Sequence, residues 1–359
     1  MSNKLIFMAG GGTAGHINPN LALVEPLQKA GYRVEYMGQK NEMEYPLVTA
    51  AGLPFHEVAS GRLHRSLNPD TLLTPFRIMK GIFQAVKAIR KEKPALIFCK
   101  GGFACVPVAI AGKLTGTKVI LHESDLTPGL ANKLCAPFAS KICVTFEQTL
   151  QHLPKEKTVF TGTPIRAALK NGSREKGFEL TGLDPNGKPV LMVVGGSQGA
   201  GALNDVIGEN LEALLDEYQI VHLYGGEASG YAPKEAPGYF ALGYAKEEMA
   251  DLFAITDLVL SRAGANAINE FLLLQLPSIL VPLPLTVSRG DQILNAEHFQ
   301  QKGFSYVLPQ EKLNLESLQA ALNQVQEHRS EYLAAMANSA AKNGTAEVLK
   351  VILETIIKK

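Results

Sequence analysis

Short apolar runs alternate with amphipathic stretches along most of this chain. KLIFMAG, RVEYMG, LIFCKGG, KVILHES, KICVTF and TVFTG predict strands, and NLALVEPLQKAG and RIMKGIFQAVKAIRKEK predict helices between them. Strands that alternate with helices predict a parallel sheet wrapped by helices. Near GTPIRAALKNGSREKGFELTGLDPNGKP the pattern lapses into turn-rich, charged sequence, and it restarts with VLMVVGGSQGAGALNDVIGENLEALL. QIVHLYGG, YFALGY, LVLSRAG, SILVPLP and SYVLP then predict further strands. The chain therefore reads as two α/β units, residues 1–163 and 164–343, each opening with a strand that feeds a glycine turn. A last helix, TAEVLKVILETIIKK, follows Gly344 and is expected to pack back on the first unit.

Composition narrows the class. Apolar residues make up 46% of the 359 and charged residues 19%, enough to bury two cores. The net charge of +1 gives no global basic field, so nucleic acid is not an expected partner. Cys99, Cys105, Cys135 and Cys143 lack C-x-x-C spacing and read as reduced core thiols of a cytosolic protein. The N-terminal apolar run is too short for a signal-peptide core. FLLLQLPSILVPLPL (271–285) contains Gln275 and three prolines, and reads as a helix end, a turn and a buried strand rather than a membrane span.

The first glycine turn, GGGTAGHINPN, carries G-x-G-x-x-G in Gly10, Gly12 and Gly15. Asn18 is a candidate helix cap and Pro19 a first-turn residue, so the helix N-terminus behind the turn predicts an anion site. A dinucleotide site also requires an acid at the end of the next strand. That strand ends in Gly38 and Gln39, and alternation makes Glu35 an ordinary strand residue, which disfavours NAD. KGGFACVP, GGSQGAGALN and SRAGANAINE are three further glycine turns after predicted strands. Ligands of open α/β sheets sit at the carboxyl ends of the strands.

Several side chains near these turns carry candidate chemistry. His16 closes the first turn, where an imidazole takes a proton near neutral pH. His122 reads as a buried structural histidine. Glu270, six residues after Gly264, suits a ribose diol. Asp291 and Gln292 either cap their helix or bind sugar hydroxyls, and Arg166 either meets a diphosphate or forms a surface ion pair. No D-x-D and no His/Cys cluster with metal spacing occurs in the sequence, so no bound metal or other cofactor is expected.

GGGTAGH, KGGF, HESDLTPGLANK, GTPIR, GGSQGAGALN, SRAGANAINE and RGDQILNA occur in the order found in the MurG family, and the chain resembles that family over nearly its whole length. These are the N-acetylglucosaminyltransferases of glycosyltransferase family 28, which convert lipid I to lipid II in bacterial peptidoglycan synthesis. The resemblance implies the GT-B fold, with two Rossmann-like domains and an interdomain cleft, and the C-terminal helix returning to the first domain. It implies inverting, metal-independent transfer from UDP-GlcNAc to the C4 hydroxyl of a polyprenyl-linked muramyl pentapeptide. It places the donor on the second domain, with Arg166, Ser197, Gln198, Ala265, Glu270, Asp291 and Gln292. It places the acceptor on the first, with Thr13, Ala14, Gly15, Gly101, Gly102, Phe103, Asp125 and Asn132. His16 and Glu123 are the implied catalytic residues, with Asp125 an alternative base.

The sequence departs from the family pattern at Ala14 (usually glycine), Phe103 (often tyrosine), Ser124–Asp125 (commonly Gln-Asn) and Ala267 (often threonine). The stretch 71–93 clusters Leu72, Leu73, Phe76, Met79, Ile82 and Phe83 with Arg77, Lys80, Lys87, Arg90 and Lys91. It reads either as a core helix with a basic solvent face or as a patch for an anionic membrane surface. The family resemblance implies a peripheral protein on the cytoplasmic side of the membrane, with other cell-wall enzymes as further partners. The alternatives in function are another UDP-GlcNAc enzyme of the same fold (a different lipid acceptor, or a 2-epimerase) and a catalytically silent nucleotide-sugar-binding scaffold.

Overall fold

The computed structural model describes residues 4–61, 69–196, 199–339 and 343–357, with backbone alone at 69–73 and 228. The chain divides into two compact units, Met1–Arg166 with Asn343–Lys359, and Ala167–Lys342.

The first unit holds a sheet of seven strands: β1 (Leu5–Ala9), β2 (Arg33–Gly38), β3 (Phe55–Glu57), β4 (Leu96–Cys99), β5 (Val119–Glu123), β6 (Lys141–Val144) and β7 (Thr158–Phe160). Their order is β3-β2-β1-β4-β5-β6-β7, and every pairing is parallel. β1 and β4 are apolar without interruption because both sheet faces are covered. Leu5, Phe7, Ile97 and Cys99 join one core, and Ile6, Met8, Leu96 and Phe98 the other, as a period of two requires. The C-terminal helix Thr345–Ile357 adds Val348 and Ile352 to the second core, beside Leu23 and Leu27 of helix Ala14–Lys29. Its entry is stitched to the segment after β7. The Ile165 amide donates to Asn343 Oδ1 (3.1 Å), and Asn343 Nδ2 donates back to the Ile165 carbonyl (2.8 Å).

The second unit repeats the plan with six parallel strands: β8 (Val190–Val194), β9 (Gln219–Leu223), β10 (Tyr239–Leu242), β11 (Leu258–Ser261), β12 (Ser278–Leu280) and β13 (Ser305–Val307). Their order is β10-β9-β8-β11-β12-β13. In both sheets the order reverses beside the opening strand, between β1 and β4 and between β8 and β11. These are the two positions where an open parallel sheet leaves a crevice at its carboxyl edge.

Three local readings need correction or refinement. Strand β3 is three residues long and half-exposed, so it carries no hydrophobic run. The first helix begins at Ala14 with Thr13 as N-cap, not at Asn18, and Pro19 lies inside it. Asn20, next in line, is buried and its Nδ2 donates to the Ala9 carbonyl (3.1 Å) and Tyr36 hydroxyl (3.0 Å). The long apolar stretch is the end of helix Ala265–Leu274, a left-handed turn at Gln275 (φ 55°) and buried β12, as expected. Among the described residues, no helix is long and apolar enough to cross a membrane.

Candidate active site

In the first unit, the turns after β1 and β4 meet at the reversal point. A Cβ on Gly102 would lie 2.3 Å from the Gly11 carbonyl oxygen, and Gly102 has φ 78°, so the close approach of two backbones requires glycine there. Gly101, also left-handed, faces His16: a Cβ there would sit 3.3 Å from His16 Nε2. Beneath the first turn lies Glu44, fully buried, which accepts from the amides of Gly12 (3.2 Å) and Gln39 (3.0 Å). The Gly12 amide is thus engaged within the protein. Ala14 is the first helical residue, with negative φ, so the absence of glycine there brings no strain. Gly15 lies in that helix and Phe103 packs on the neighbouring core.

The half-buried His16 is oriented by its own loop. Its Nδ1 lies 2.8 Å from the Gly11 carbonyl and 3.3 Å from Thr13 Oγ1. A carbonyl only accepts, so neutral His16 carries its proton on Nδ1 and presents the Nε2 lone pair on the Gly101 side. Burial, and secondarily the Lys100 charge, hold its pKa below the usual value, against the Gly11 hydrogen bond and the charges of Asp125 and Glu44.

The turn after β5 is built on Glu123, which is 4% exposed. Its Oε1 accepts from the Asp125 amide (3.0 Å), and its Oε2 from the Gly129 amide (2.8 Å) and Asn132 Nδ2 (2.9 Å). Asn132 Nδ2 also donates to the His122 carbonyl (3.2 Å), while its buried Oδ1 has no hydrogen-bond partner. His122 is buried between Lys100 Nζ on Nδ1 (2.9 Å) and the Gly162 carbonyl on Nε2 (2.9 Å), a structural histidine as its sequence context suggested. The structure therefore groups Thr13, Ala14, Gly15, His16, Gly101, Gly102, Phe103, Glu123, Asp125 and Asn132 at one edge of the first sheet. Glu44 and Lys100, absent from the sequence reading, belong to the same cluster. Lys100 had a visible signal, a lysine inside a glycine turn, whereas Glu44 reaches the loop only through the fold.

In the second unit, β8 leads through Gly195 and Gly196 to helix Gly201–Glu209, and β11 through Arg262 and Gly264 to helix Ala265–Leu274. Gly199 (φ 75°) packs against the β9 turn, where a Cβ would meet the Tyr224 carbonyl at 2.4 Å. Ser197 and Gln198 lie outside the described residues. Ala265 is the first residue of its helix and Glu270 is half-buried one turn further on. Asp291 opens helix Asp291–Gln301 and pairs with Arg289 (3.4 Å). Gln292 Oε1 accepts from the Leu283 amide (3.1 Å), which leaves Nε2 as the donor it presents.

Among the described residues, two arginines carry buried Nε groups without a partner: Arg166, which closes the first unit, and Arg262 in the second. Arg262 was not singled out from the sequence although it lies within SRAGANAINE. It donates to the Val281 carbonyl (3.1 Å) at the carboxyl ends of β11 and β12. A buried donor of this kind is one that a water or a ligand acceptor can satisfy. Among the described residues, no cluster of three or more His, Cys, Asp or Glu side chains is placed to hold a metal ion.

Helix Pro69–Glu92 has two faces. Ala85 and Ile89 are buried, with Ile78 and Val86 packed on the same core. Phe76, Met79 and Phe83, spaced as one stripe, are 70%, 66% and 72% exposed, and Arg77, Lys80 and Lys87 flank them in solvent. Ile82 is half-buried and lies off that exposed stripe. The side chains of Leu72 and Leu73 lie outside the described residues.

This double parallel fold is that of the GT-B glycosyltransferases. It matches the crystal structure of MurG from Acinetobacter baumannii with a TM-score of 0.73 and 25% identity, over 98% of this chain and 99% of that one. Residues 6–144 match the glycosyltransferase family 28 N-terminal domain and residues 190–352 its C-terminal domain. A UDP-N-acetylglucosamine–N-acetylmuramyl-(pentapeptide) pyrophosphoryl-undecaprenol N-acetylglucosamine transferase of Clostridium tetani is 45% identical over 349 residues, 97% of each chain. The chain belongs to glycosyltransferase family 28. A UDP-GlcNAc 2-epimerase from Neisseria meningitidis shares the fold at a TM-score of 0.69 but only 15% identity, over 99% of this chain and 100% of that one.

Proposed function

We propose that this protein transfers GlcNAc from UDP-GlcNAc to the C4 hydroxyl of polyprenyl-pyrophosphoryl-MurNAc-pentapeptide, the lipid I to lipid II step of peptidoglycan synthesis. The observation that carries the reading is the 45% identity to the Clostridium tetani transferase along almost the whole of both chains. The epimerase reading has only a shared fold behind it.

The acceptor belongs to the first unit. The loop of Thr13, Ala14 and Gly15 lies at a helix N-terminus, where amides and dipole favour a pyrophosphate. Gly12 is excluded from that role because Glu44 takes its amide. Gly101, Gly102 and Phe103 form the facing turn, with Asp125 and Asn132 toward the sugar. His16 is the general base. Its Nε2 takes the C4 hydroxyl proton as that oxygen bonds to the anomeric carbon, and the bond to the diphosphate breaks with its electron pair leaving on UDP. Attack opposite an α-linked leaving group gives a β product. Glu123 serves differently: with three N–H groups on its carboxylate, it positions the Asp125 turn rather than accepting the proton.

The donor belongs to the second unit. Glu270 accepts from the ribose hydroxyls, Asp291 and Gln292 Nε2 meet the GlcNAc hydroxyls, and Ala265 offers its helix N-terminal amide. Ser197, Gln198 and the Nε group of Arg262 serve the nucleotide diphosphate, so departure of UDP needs no bound metal; Arg166, which the resemblance implies on the donor side, closes the first unit. The exposed stripe of Phe76, Met79 and Phe83 with Arg77 and Lys80 contacts an anionic membrane surface.

The test is incubation of the protein with radiolabelled UDP-GlcNAc and a lipid I analogue in EDTA. A β-1,4 disaccharide on the lipid is expected. Release of UDP with formation of ManNAc, or no turnover at all, would refute the reading in favour of the epimerase or the silent scaffold.

A further inference from the structure

Lys100 has no part in the chemistry above, yet it is 1% exposed and occupies the centre of the first unit's site. Its ammonium donates to His122 Nδ1 (2.9 Å) and to Ser124 Oγ. His122 is anchored behind it on the Gly162 carbonyl. Lys100 therefore ties the β4 turn, whose Gly101 faces His16, to the β5 turn that carries Asp125. Both hydrogen-bond partners are neutral groups. The countercharges are Glu123 and Asp125, while burial pushes the ammonium down to about 7. A buried cation is often no more stabilising than an apolar side chain of its size. Its presence here calls for a role that its charge performs.

We propose that Lys100 is a positioning residue of the transfer site, a buried cation that bolts the β4 turn to the β5 turn and thereby holds Asp125 and His16 around the acceptor. The inference rests on the acceptor reading given above. The charge has two consequences. It complements the anionic acceptor and Asp125, and it repels a proton from His16, whose lowered pKa owes its second contribution in that direction to Lys100. The titratable groups around the ammonium are His122 and Glu123 on β5, Asp125 beyond it, Cys143 on β6, Cys105 on the helix after the β4 turn, and His16. His16 titrates below its ordinary 6.5, where Lys100 (about 7) is charged, so loss of the lysine raises the His16 midpoint.

The experiment uses the full chain and the variants Lys100→Met and Ser124→Ala, with NMR titration of labelled histidine and steady-state kinetics. Lys100→Met is expected to raise the His16 midpoint by roughly half a pH unit or more. It is also expected to lower kcat about tenfold or more, with UDP-GlcNAc affinity unchanged. Ser124→Ala removes one partner but keeps the charge, so kcat falls while the His16 midpoint stays. A purely structural lysine would leave the midpoint unmoved, and that result overturns the proposal, as does full kcat in folded Lys100→Met. If Lys100→Met does not fold, Ser124→Ala decides, and wild-type kcat in it overturns the proposal. A wild-type protein without transferase activity would instead defeat the functional reading, and the His16 titration would still test the lysine's charge.

Discussion

The carboxylate of Glu123 separates two roles that a sequence motif leaves merged. The family resemblance implies that it is a catalytic residue beside His16. In the fold it is buried and accepts three N–H groups, which makes it the keystone of a turn. Glu123→Ala is expected to lower stability by about 3 kcal/mol, because buried donors lose a charged acceptor. Thermal unfolding measures the loss. Wild-type stability combined with a kcat reduced by about 10² or more would mean that Glu123 is the base after all. Residue identity was legible where the chemistry is local: His16 and the glycines of its loop stand in one heptapeptide. It was illegible for Glu44, which reaches Gly12 across 32 residues, and for the orphaned Nε groups of Arg166 and Arg262, which only a folded environment defines.

Most elements could be read from their apolar runs, because strands buried on both faces of a parallel sheet leave continuous hydrophobic stretches. β3 escaped because three half-exposed residues carry no pattern. The start of the first helix was misplaced because Asn18–Pro19 imitates an N-terminus, while the actual helix starts inside the glycine turn at Ala14, with Thr13 as N-cap. Helix Pro69–Glu92 was left open between core helix and membrane patch; one face joins the core, and the other exposes Phe76, Met79 and Phe83. Replacing both Phe76 and Phe83 with serine is expected to weaken sedimentation with anionic vesicles and leave the melting temperature nearly unchanged, since both rings are exposed. Equal sedimentation of the double variant and the wild type would move the membrane contact elsewhere.

At the scale of the whole molecule, two sheets of the same handed plan put glycine turns at both reversal points, and each unit also buries histidine. His222, on β9, is held between the Tyr239 hydroxyl (2.8 Å) and Asn204 Oδ1 (3.0 Å), and burial pushes its pKa down to about 4. The unfolded chain binds that proton from about pH 6.5 downward and the folded chain does not, so its contribution is complete above 6.5 and is lost as pH falls toward 4. The loss is on the order of 3 kcal/mol. Denaturant midpoints between pH 4 and 7 should therefore fall more steeply for the wild type than for His222→Gln, and parallel curves would contradict this. The central claim is that the first unit carries the reacting acceptor beside His16 while the second binds the donor. The most direct test is kcat for His16→Ala at saturating substrates, with UDP-GlcNAc affinity measured separately by calorimetry. The account predicts a loss of roughly 10²–10⁴ in kcat with donor affinity near wild type. A kcat within about threefold of wild type, far short of what loss of a general base entails, would contradict it, and so would a large loss of donor affinity.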